Sequence, residues 1–424
     1  MNSRLSEKTS PGLLPWFMWA LGALFYCYEF FLQVSPNVMV KDLMLAYDLT
    51  AAQMGYLSTS YYIAYAAMQL PVGMLLDRFG TRKPLTVAVL LCALGGLIFC
   101  YTHVFIIAAL GRFLIGAGSA FAAVSCMQIA ANWLPLNRFA LMTGLLLTIG
   151  MIGAWNGQAP LGILINVIGW RETLLLFGVI GIVLAAVIFL VIRDKPKPIH
   201  LSSHPKPNFF AGLKHVIRGR QNWIVAIYGG LMFLSIPGFA GLWSVSFFSQ
   251  SNGVSSTEAA FVVSMIFIGF AVGAPLLGWF SDRIERRKPP MYFGTIGSLI
   301  TMSTIIYGPP LSSTLAGLLF FAFGFFCSGF LPVFSVAREV NPPETSGTAL
   351  GFINTLNTAG GMLAQPAIGY LLDLNWHGEM QGGVRFYDTA DYHIALSILP
   401  IAIALSLVVL FFVRETHCKD EYVK

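Results

Sequence analysis

Twelve long apolar stretches constrain this chain more than any other feature. Each is bounded by charged residues, Pro or Gly and is close to the about 20 residues that a helix needs to cross the hydrocarbon core of a bilayer. Because hydrocarbon offers no partner to backbone N–H and C=O groups, each stretch is predicted to be a helix. The predicted spans are 16–40, 52–76, 84–101, 105–128, 139–165, 173–192, 222–248, 259–280, 290–308, 314–336, 346–372 and 393–413.

The composition excludes a soluble protein. Hydrophobic residues make up 56% of the 424 residues and charged residues only 10%, whereas soluble domains carry roughly 25% charged residues. An intramembrane enzyme would need a nucleophile with a base, or a set of metal ligands, at membrane depth. The six cysteines show no metal-ligand spacing, so we expect no enzyme, no metal site and no bound cofactor.

The Lys and Arg residues are distributed unevenly between the two sides of the membrane. If the N-terminus is placed inside, 21 of the 25 Lys and Arg residues fall on that side, and Lys41, Arg171 and Arg385 fall on the other. Cytoplasmic loops of membrane proteins carry such an excess of Lys and Arg. We therefore predict a multi-pass protein of the plasma (inner) membrane with both termini in the cytoplasm. The net charge of +6 then reflects orientation, and no nucleic-acid partner is expected.

An internal repeat divides the chain into two halves. The segment from Gly73 to Lys83 recurs from Gly278 to Lys288, at an offset of 205 residues. Self-similarity at a fixed offset indicates a duplicated structural unit, which predicts two six-helix bundles related by pseudo-two-fold symmetry. The predicted organisation is an N-terminal bundle over 1–192, a basic cytoplasmic linker over 193–221 with an amphipathic piece at 209–217, and a C-terminal bundle over 222–424.

Short motifs carry a family resemblance. Gly73-x-x-x-Asp77-Arg78-x-Gly80-x-Arg82-Lys83 resembles the signature loop of the major facilitator superfamily, and Arg112-x-x-x-Gly116-x-Gly118 resembles its second signature. The resemblance covers the whole chain and implies twelve helices, a cavity between the halves near the middle of the bilayer, and transport by alternating access. Span five lacks the Gly-Pro dipeptide of the superfamily's drug/proton antiporters, which disfavours efflux.

The resemblance also implies a role for the signature loop. In the superfamily, the aspartate of this loop belongs to a charge cluster that locks the cytoplasmic side when the cavity faces outwards. Asp77 needs such a partner, because it lies at the C-terminal end of span two, where the helix dipole disfavours an anion. The predicted cytoplasmic latch comprises Gly73, Asp77, Arg78, Gly80, Arg82, Asp282 and Arg283.

Two charged residues fall within the predicted spans, Glu29 in span one and Arg112 in span four. A charge at the centre of a bilayer costs at least about 2.5–3.5 kcal/mol, so each needs a reason to be there. At about 1.5 Å per helical residue, the two lie at nearly the same depth. We hypothesise that Glu29 is the proton-coupling carboxylate and that Arg112 tunes it or holds an anionic group of the solute. The alternative is a fixed ion pair that holds two helices together.

Polar side chains recur at helical spacing along spans one, two and eleven, which places them on one face of each helix. Such a face either lines a cavity or forms hydrogen bonds between helices, and spacing alone does not separate the two roles. The aromatic residues among the candidates could stack on a solute. The cavity candidates are Tyr26, Gln33, Tyr61, Tyr65, Trp155, Asn156, Gln158, Trp243, Asn354, Asn357 and Gln365.

Together these features predict a monomeric secondary active transporter whose partners are a small solute and the lipid bilayer. Our first expectation is uptake of a small polar or anionic organic solute, driven by a proton or Na⁺ gradient, because Arg112 offers a permanent positive charge. One alternative is proton-coupled efflux of a lipophilic or cationic compound, which Glu29 and the aromatic candidates would suit. The other is a non-transporting membrane receptor or sensor.

Overall fold

Helices make up nearly all of the chain that the structure describes. The computed structural model describes residues 13–134, 139–194 and 209–419. The helices of the first half are α1 (Leu13–Val34), α2 (Val40–Tyr47), α3 (Ala51–Phe79), α4 (Arg82–Tyr101), α5 (Phe105–Ser119), α6 (Phe121–Trp133), α7 (Phe139–Asn156), α8 (Ala159–Ile168) and α9 (Trp170–Val191). The later elements are α10 (Phe209–Arg218), α11 (Arg220–Phe233), α12 (Ser244–Asn252), α13 (Ser256–Arg283), α14 (Lys288–Tyr307), α15 (Ser313–Cys327), α16 (Pro332–Glu339), α17 (Ser346–Asn375), the antiparallel strands β1 (Met380–Gln381) and β2 (Val384–Arg385), α18 (Thr389–Leu396) and α19 (Ile398–Phe412).

The predicted spans correspond to helices. Within the described ranges, eight helical stretches are long and apolar enough to cross a membrane by length and composition. The other four predicted spans, 52–76, 139–165, 290–308 and 346–372, correspond to α3, to α7 with α8, to α14 and to α17. These four contain more Ser, Thr, Asn, Gln and Gly, or are interrupted. The fold is an all-α polytopic membrane fold with two six-helix halves.

Several spans are not single α-helices, and the sequence did not predict these interruptions. Span one was predicted to run to residue 40, but α1 ends at Val34, and a 3-10 turn (Ser35–Val38) and α2 follow. Pro36 lies in this turn, and proline lacks the N–H that would continue the α-helix. Span seven contains a π-helical segment, Ile236–Trp243. Such breaks release backbone groups for partners outside their own helix.

Hydrogen bonds between the two halves close one end of the molecule, which we call the sealed end. Asn37, just beyond α1, donates to the carbonyl O of Ala240 at 2.9 Å and to Ser244 Oγ at 3.0 Å. The Oδ1 atom of Asn37 accepts from the backbone N–H of Val245, and Gln158 donates to Ala240 O at 3.2 Å. Asn37, Gln158 and Ser244 are buried, so water competes little for these bonds.

A carboxylate closes the same end at the start of a helix. Asp373, in the last turn of α17, accepts from the backbone N–H groups of Ala51 at 3.2 Å and Ala52 at 2.8 Å, the first residues of α3. The first N–H groups of a helix have no partner within it, and the helix dipole favours an anion there. Arg385 and Tyr387 donate to Asp373 from its own half and hold the carboxylate in position.

The helices α3 and α17 come into backbone contact at the sealed end. A Cβ atom added at Gly369 would lie 2.2 Å from the carbonyl O of Ala51, a separation that no side-chain carbon tolerates. Glycine at this position therefore lets the two halves meet directly.

The opposite end carries the two repeated loops and the linker helix, and we call it the basic end. The predicted amphipathic piece forms α10, which contacts α17 instead of lying on lipid alone. A Cβ atom at Gly212 of α10 would lie 3.6 Å from the side chains of Thr345 and Thr348. The second half begins with α11 at Arg220, two residues before the predicted boundary. Residues 195–208 of the predicted linker lie outside the described ranges.

Candidate functional site

A cavity of about 220 Å³ lies between the two halves. Residues 61–65 of α3 and 354–358 of α17 line it, whereas the sealed contacts involve residues 51–52 and 369–373 of the same helices. The cavity therefore lies on the basic-end side of the seal. It is smaller than the roughly 300–1,000 Å³ pockets that hold drug-sized ligands, which indicates a small solute.

Glu29 is the one acidic or basic side chain among the described residues that line the cavity. Glu29 is only 2% exposed, and the hydroxyl group of Tyr61 donates to its Oε2 atom at 2.9 Å. The ring of Tyr61 stacks on Tyr65 and meets Tyr62 edge-on, with centroids 6.0 Å and 5.0 Å apart. A hydroxyl group donates to a carboxylate or accepts from a carboxylic acid. The tyrosine cluster therefore suits both protonation states of Glu29.

Arg112 does not form an ion pair with Glu29, so the alternative of a fixed ion pair between the two helices is wrong for this conformation. Its side chain is buried and donates to the backbone carbonyls of Leu32 at 2.8 Å and Gln33 at 3.3 Å. These carbonyls belong to the last turn of α1, where free C=O groups and the helix dipole favour a cation. The guanidinium carbon lies 5.3 Å from the centroid of the Tyr61 ring. Tyr61 therefore contacts both Arg112 and Glu29.

Arg112 does not line the cavity in this conformation, so its predicted contact with an anionic group of the solute stays a prediction. Its observed role is to hold the end of α1 against α5. The sequence could not show this role, because it depends on the end of the α-helix at Val34, within a stretch that reads as one continuous span.

Six of the predicted cavity candidates do line the cavity. They lie on α1, α3 and α17, the helices whose polar residues recur at helical spacing, and they are Tyr26, Gln33, Tyr61, Tyr65, Asn354 and Asn357. Asn357 is 2% exposed, and neither its amide nitrogen nor its amide oxygen has a hydrogen-bond partner among the described residues. A buried amide without partners costs free energy, so Asn357 is a strong candidate for solute contact.

Three other candidates belong to the sealed end. Gln158 donates to Ala240 O, as described above. The indole Nε1 of Trp243 donates to the carbonyl O of Gln365 at 3.1 Å, and the side chain of Gln365 donates to Pro237 O at 2.8 Å. Their N–H groups therefore join helices, which is the alternative that helical spacing left open, and none of the three residues lines the cavity.

The last two candidates, Trp155 and Asn156, also lie outside the cavity. Asn156 donates to the carbonyl O of Ile152 in its own helix at 2.8 Å and lines a separate apolar groove of the first half. Trp155 is half-buried and its indole N–H has no partner among the described residues. Both residues end α7, where the chain breaks before α8.

The apolar wall of the cavity was not predicted. The chain contains 34 Phe residues, and a Phe that faces lipid has the same spacing as one that faces a cavity. Tyr62 was also missed, although it is adjacent to Tyr61. The Phe residues of the wall are Phe30, Phe233, Phe267, Phe270, Phe330 and Phe334.

At the basic end, Asp194 holds the first copy of the repeated loop. Its carboxylate accepts from the backbone N–H groups of Thr81 at 2.6 Å and Arg82 at 3.1 Å, where α4 begins. Arg82 donates through Nε to Phe189 O at 2.7 Å, and its guanidinium lies over the Phe189 ring. Asp77 is exposed, and none of the described residues hydrogen-bonds to its carboxylate.

Arg287 and Glu415 organise the second copy. Arg287 pairs with Glu339 and with Asp282, each at 2.6 Å. Glu415 accepts from the backbone N–H groups of Arg287 at 2.7 Å and Lys288 at 3.1 Å. Burial alone would raise the pKa of Glu415, but the backbone N–H groups outweigh burial and lower it. Burial opposes the charge of Arg287 as well, yet its two carboxylate partners raise its pKa.

The remaining predicted latch residues are two exposed arginines and two glycines, one within α3 and one just after it. Arg78 and Arg283 are exposed, and each lies over an aromatic ring of its own helix, at 5.2 Å and 5.3 Å from the centroid. Gly80 follows α3 with φ of 79°, and no atom lies within 4 Å of a Cβ placed at Gly73. The latch itself concerns a state in which the basic end is closed, so it stays a prediction.

Comparison with known proteins finds a matching family model and similar membrane proteins. The model of the Major Facilitator Superfamily matches residues 18–365 and 231–421. The chain is 25% identical over 381 residues to the probable galactarate/D-glucarate transporter GarP of Escherichia coli (strain K12), across 80% of this chain and 83% of that protein. It is 24% identical over 393 residues to the membrane sensor protein UhpC of Salmonella typhimurium, across 85% of each.

Solved structures share the fold. A bacterial homolog of the human lysosomal transporter Spinster, in an inward-facing and unoccupied conformation, gives a TM-score of 0.75 at 17% identity, across 94% of this chain and 95% of that one. The nucleoside transporter NupG gives a TM-score of 0.75 at 14% identity, across 94% and 99%. At these identities the likeness extends to the fold and not to the solute.

Proposed function

The chain belongs to the major facilitator superfamily, and we propose that it takes up a small organic acid together with a proton. Family and fold are those of multi-pass membrane transporters and not of enzymes. The proposal adds the solute class, the coupling ion and the direction. The observation that carries it is Glu29, buried in the cavity between the two halves and bonded to Tyr61.

The names of the relatives support an acidic solute. GarP of Escherichia coli and GudP of Bacillus subtilis are both named as probable transporters of galactarate and D-glucarate, which are dicarboxylates. UhpC is named as a membrane sensor and represents the alternative in which the solute is bound but not moved. Solute-dependent flux separates the two functions.

Glu29 supplies the reason for coupling. Two unit charges about 5 Å apart repel by roughly 3 kcal/mol at an effective dielectric constant of about 20, which is about a hundredfold in affinity. No described lining residue carries a compensating positive charge. An anionic acid therefore binds well when Glu29 is protonated and poorly when Glu29 is ionised. Each acid molecule then brings one proton through the cavity.

The basic excess supports the direction. Because Lys and Arg mark the cytoplasmic side, the basic end would face the cytoplasm and the sealed end the outside. The conformation described here would then be the one from which acid and proton leave for the cytoplasm. In the opposite conformation, the contacts of Asn37 and Asp373 would separate and admit both from outside.

Replacing Glu29 by Gln tests the coupling. Proteoliposomes that enclose a pH-sensitive dye receive galactarate, D-glucarate, phenylacetate, 4-methylpentanoate or leucine. With the wild-type protein, at least one acid should drive proton entry. Glu29→Gln should slow this entry at least about tenfold, the equivalent of about 1.4 kcal/mol, because the glutamine amide has no proton to release, yet it should still exchange labelled acid across the membrane. The exposed acid variant Glu344→Gln is the matched control and should keep full proton entry.

The pH dependence gives a second readout of the same variant. Between pH 6 and 8 these carboxylic acids stay ionised, so a change in their affinity reflects the protein. Wild-type affinity should fall as the pH rises and Glu29 loses its proton, whereas the affinity of Glu29→Gln should stay level. Full gradient-driven accumulation by Glu29→Gln would overturn the coupling role.

Efflux of a cationic or lipophilic compound is the second candidate. The lone carboxylate and the Phe wall favour it, because an aromatic ring attracts a cation at its face. The same proteoliposomes distinguish the two functions. Proton movement in exchange for a lipophilic cation, with none in response to the acids, would support efflux and exclude acid uptake.

A further inference from the structure

The cavity has two chemically different sides. The polar side carries Glu29, four tyrosines and the amides of Gln33, Asn354 and Asn357, mostly from the first half and α17. The second half contributes most of the Phe side chains of the lining, with Leu331 and Ile236. Asn357 lies against Gly229 of α11, the helix that ends at Phe233, so a solute beside this amide would also reach the Phe side chains.

The apolar side is a connected aromatic cluster. Phe330 occupies its centre, with ring centroids 5.6 Å from Phe233, 6.4 Å from Phe270 and 6.5 Å from Phe334. None of these rings can accept or donate a conventional hydrogen bond. A hydroxyl group pressed against them gives up its bonds to water without replacement, which costs about tenfold in affinity for each group.

The polar side has an amide available for a ligand. Asn357 is buried, and its nitrogen and oxygen both lack partners among the described residues. A carboxamide offers two N–H donors, which suit the oxygen atoms of one ionised carboxyl group. The side chain of Glu29, in contrast, already accepts from Tyr61.

We infer that the solute is a small organic acid whose single carboxyl group lies at one end of an apolar body. The carboxyl group would lie beside Asn357, and the body would pack on the Phe330 cluster. A polyhydroxylated diacid of the kind named for GarP fits less well, because its second carboxylate and its hydroxyl groups would face that cluster. This inference rests on the proposed function and narrows its solute.

The test compares acids of similar length on the purified full-length protein. Phenylacetate and 4-methylpentanoate are the apolar monoacids, leucine adds an α-amino group to the latter, and galactarate and D-glucarate are the polyhydroxylated diacids. We expect at least one apolar monoacid, with or without the amino group, to bind at least about tenfold tighter than either diacid at pH 6 in calorimetry. The comparison of leucine with 4-methylpentanoate shows whether the head group includes the ammonium.

Asn357→Ala tests the position of the head group. Since Asn357 makes no hydrogen bond in the structure, its removal leaves no partner unsatisfied, and thermal stability should be unchanged or higher. Affinity for the monoacid should fall about tenfold. Asn156→Ala, which removes an amide outside the cavity, is the matched control and should bind as the wild type does. Phe330→Leu should weaken the apolar monoacids and leave the diacids unchanged.

The outcomes separate this inference from the proposed function. Diacid binding as tight as monoacid binding would overturn the inference and leave proton-coupled acid uptake in place. No binding of any acid would overturn both. Monoacid binding that Asn357→Ala does not weaken would overturn the placement of the carboxyl group.

Discussion

The two copies of the repeated loop are similar in sequence and different in bonding. In each, a carboxylate three residues beyond the last helix of its half accepts from backbone N–H groups where the third span begins. Asp194 does so after α9 and Glu415 after α19. Both copies place a residue with positive φ in the loop, with φ of 79° at Gly80 and 51° at Glu285. At Gly80 the ψ angle is −175°, a combination that essentially only glycine adopts, so the first copy requires glycine at this position.

The difference lies in the arginine and the aspartate. Arg287 binds both Glu339 and Asp282, so the second copy is an ion-pair network within its own half. Arg82 instead donates to a backbone carbonyl, and Asp77 has no hydrogen-bond partner among the described residues. Both loops are therefore bonded within their own half, but the aspartate of the second copy belongs to an ion-pair network and that of the first copy does not.

The largest expected effect is on stability, at Arg287. Arg287→Met leaves Glu339 buried with only the Thr416 hydroxyl group donating to it, and the loss of its charged partner should cost about 3–5 kcal/mol of unfolding free energy. Arg82→Met, the equivalent change in the first copy, should cost about 1 kcal/mol because it removes one hydrogen bond. Chemical denaturation in detergent micelles measures both. Adding Glu339→Leu to Arg287→Met should recover part of the loss, and equal losses at Arg82 and Arg287 would contradict the comparison.

The second-largest expected effect is a change in transport rate when Asp77 or Asp282 is replaced. If Asp77 serves the closed state of the basic end, Asp77→Asn should slow solute flux about tenfold, the equivalent of about 1.4 kcal/mol, with little change in stability. Asp282→Asn should change flux less than twofold, because Asp282 is already held by Arg287. Flux in proteoliposomes, normalised to folded protein, measures both. Normal flux in Asp77→Asn would eliminate the latch.

The smallest expected effect is the loss of stability on removing either of the two carboxylates that accept from the loop backbone. Asp194→Asn and Glu415→Gln should each destabilise the protein by about 1 kcal/mol, as is typical when a carboxylate is lost from a helix start. The pKa of Glu415 is lowered in the folded protein, so its contribution is present at neutral pH and lost as the pH falls below its ordinary value of 4.5. The difference between wild type and Glu415→Gln should therefore disappear in acid. A difference that persists there would exclude an ionic role.

Hydropathy was sufficient to predict the spans, because bilayer thickness fixes the length of an apolar helix. It did not reveal the break at Val34 or the π-helical segment at Ile236–Trp243, since these depend on partners from other spans. The polar side of the cavity was predicted because Tyr, Asn and Glu are rare within spans. The apolar side was not, because Phe330 is indistinguishable in sequence from a Phe that faces lipid.

Because Gly369 and Ala51 are in backbone contact, the size of the side chain at position 369 should set the balance between the two access states of the transporter. Any side chain at position 369 occupies space that the sealed end needs for closure. A larger residue there acts as a wedge that disfavours only the closed form of that end. Graded substitution from Ala to Leu at this site thus provides a series of proteins biased progressively towards the opposite access state, suited to capturing that state for inhibitors or antibodies.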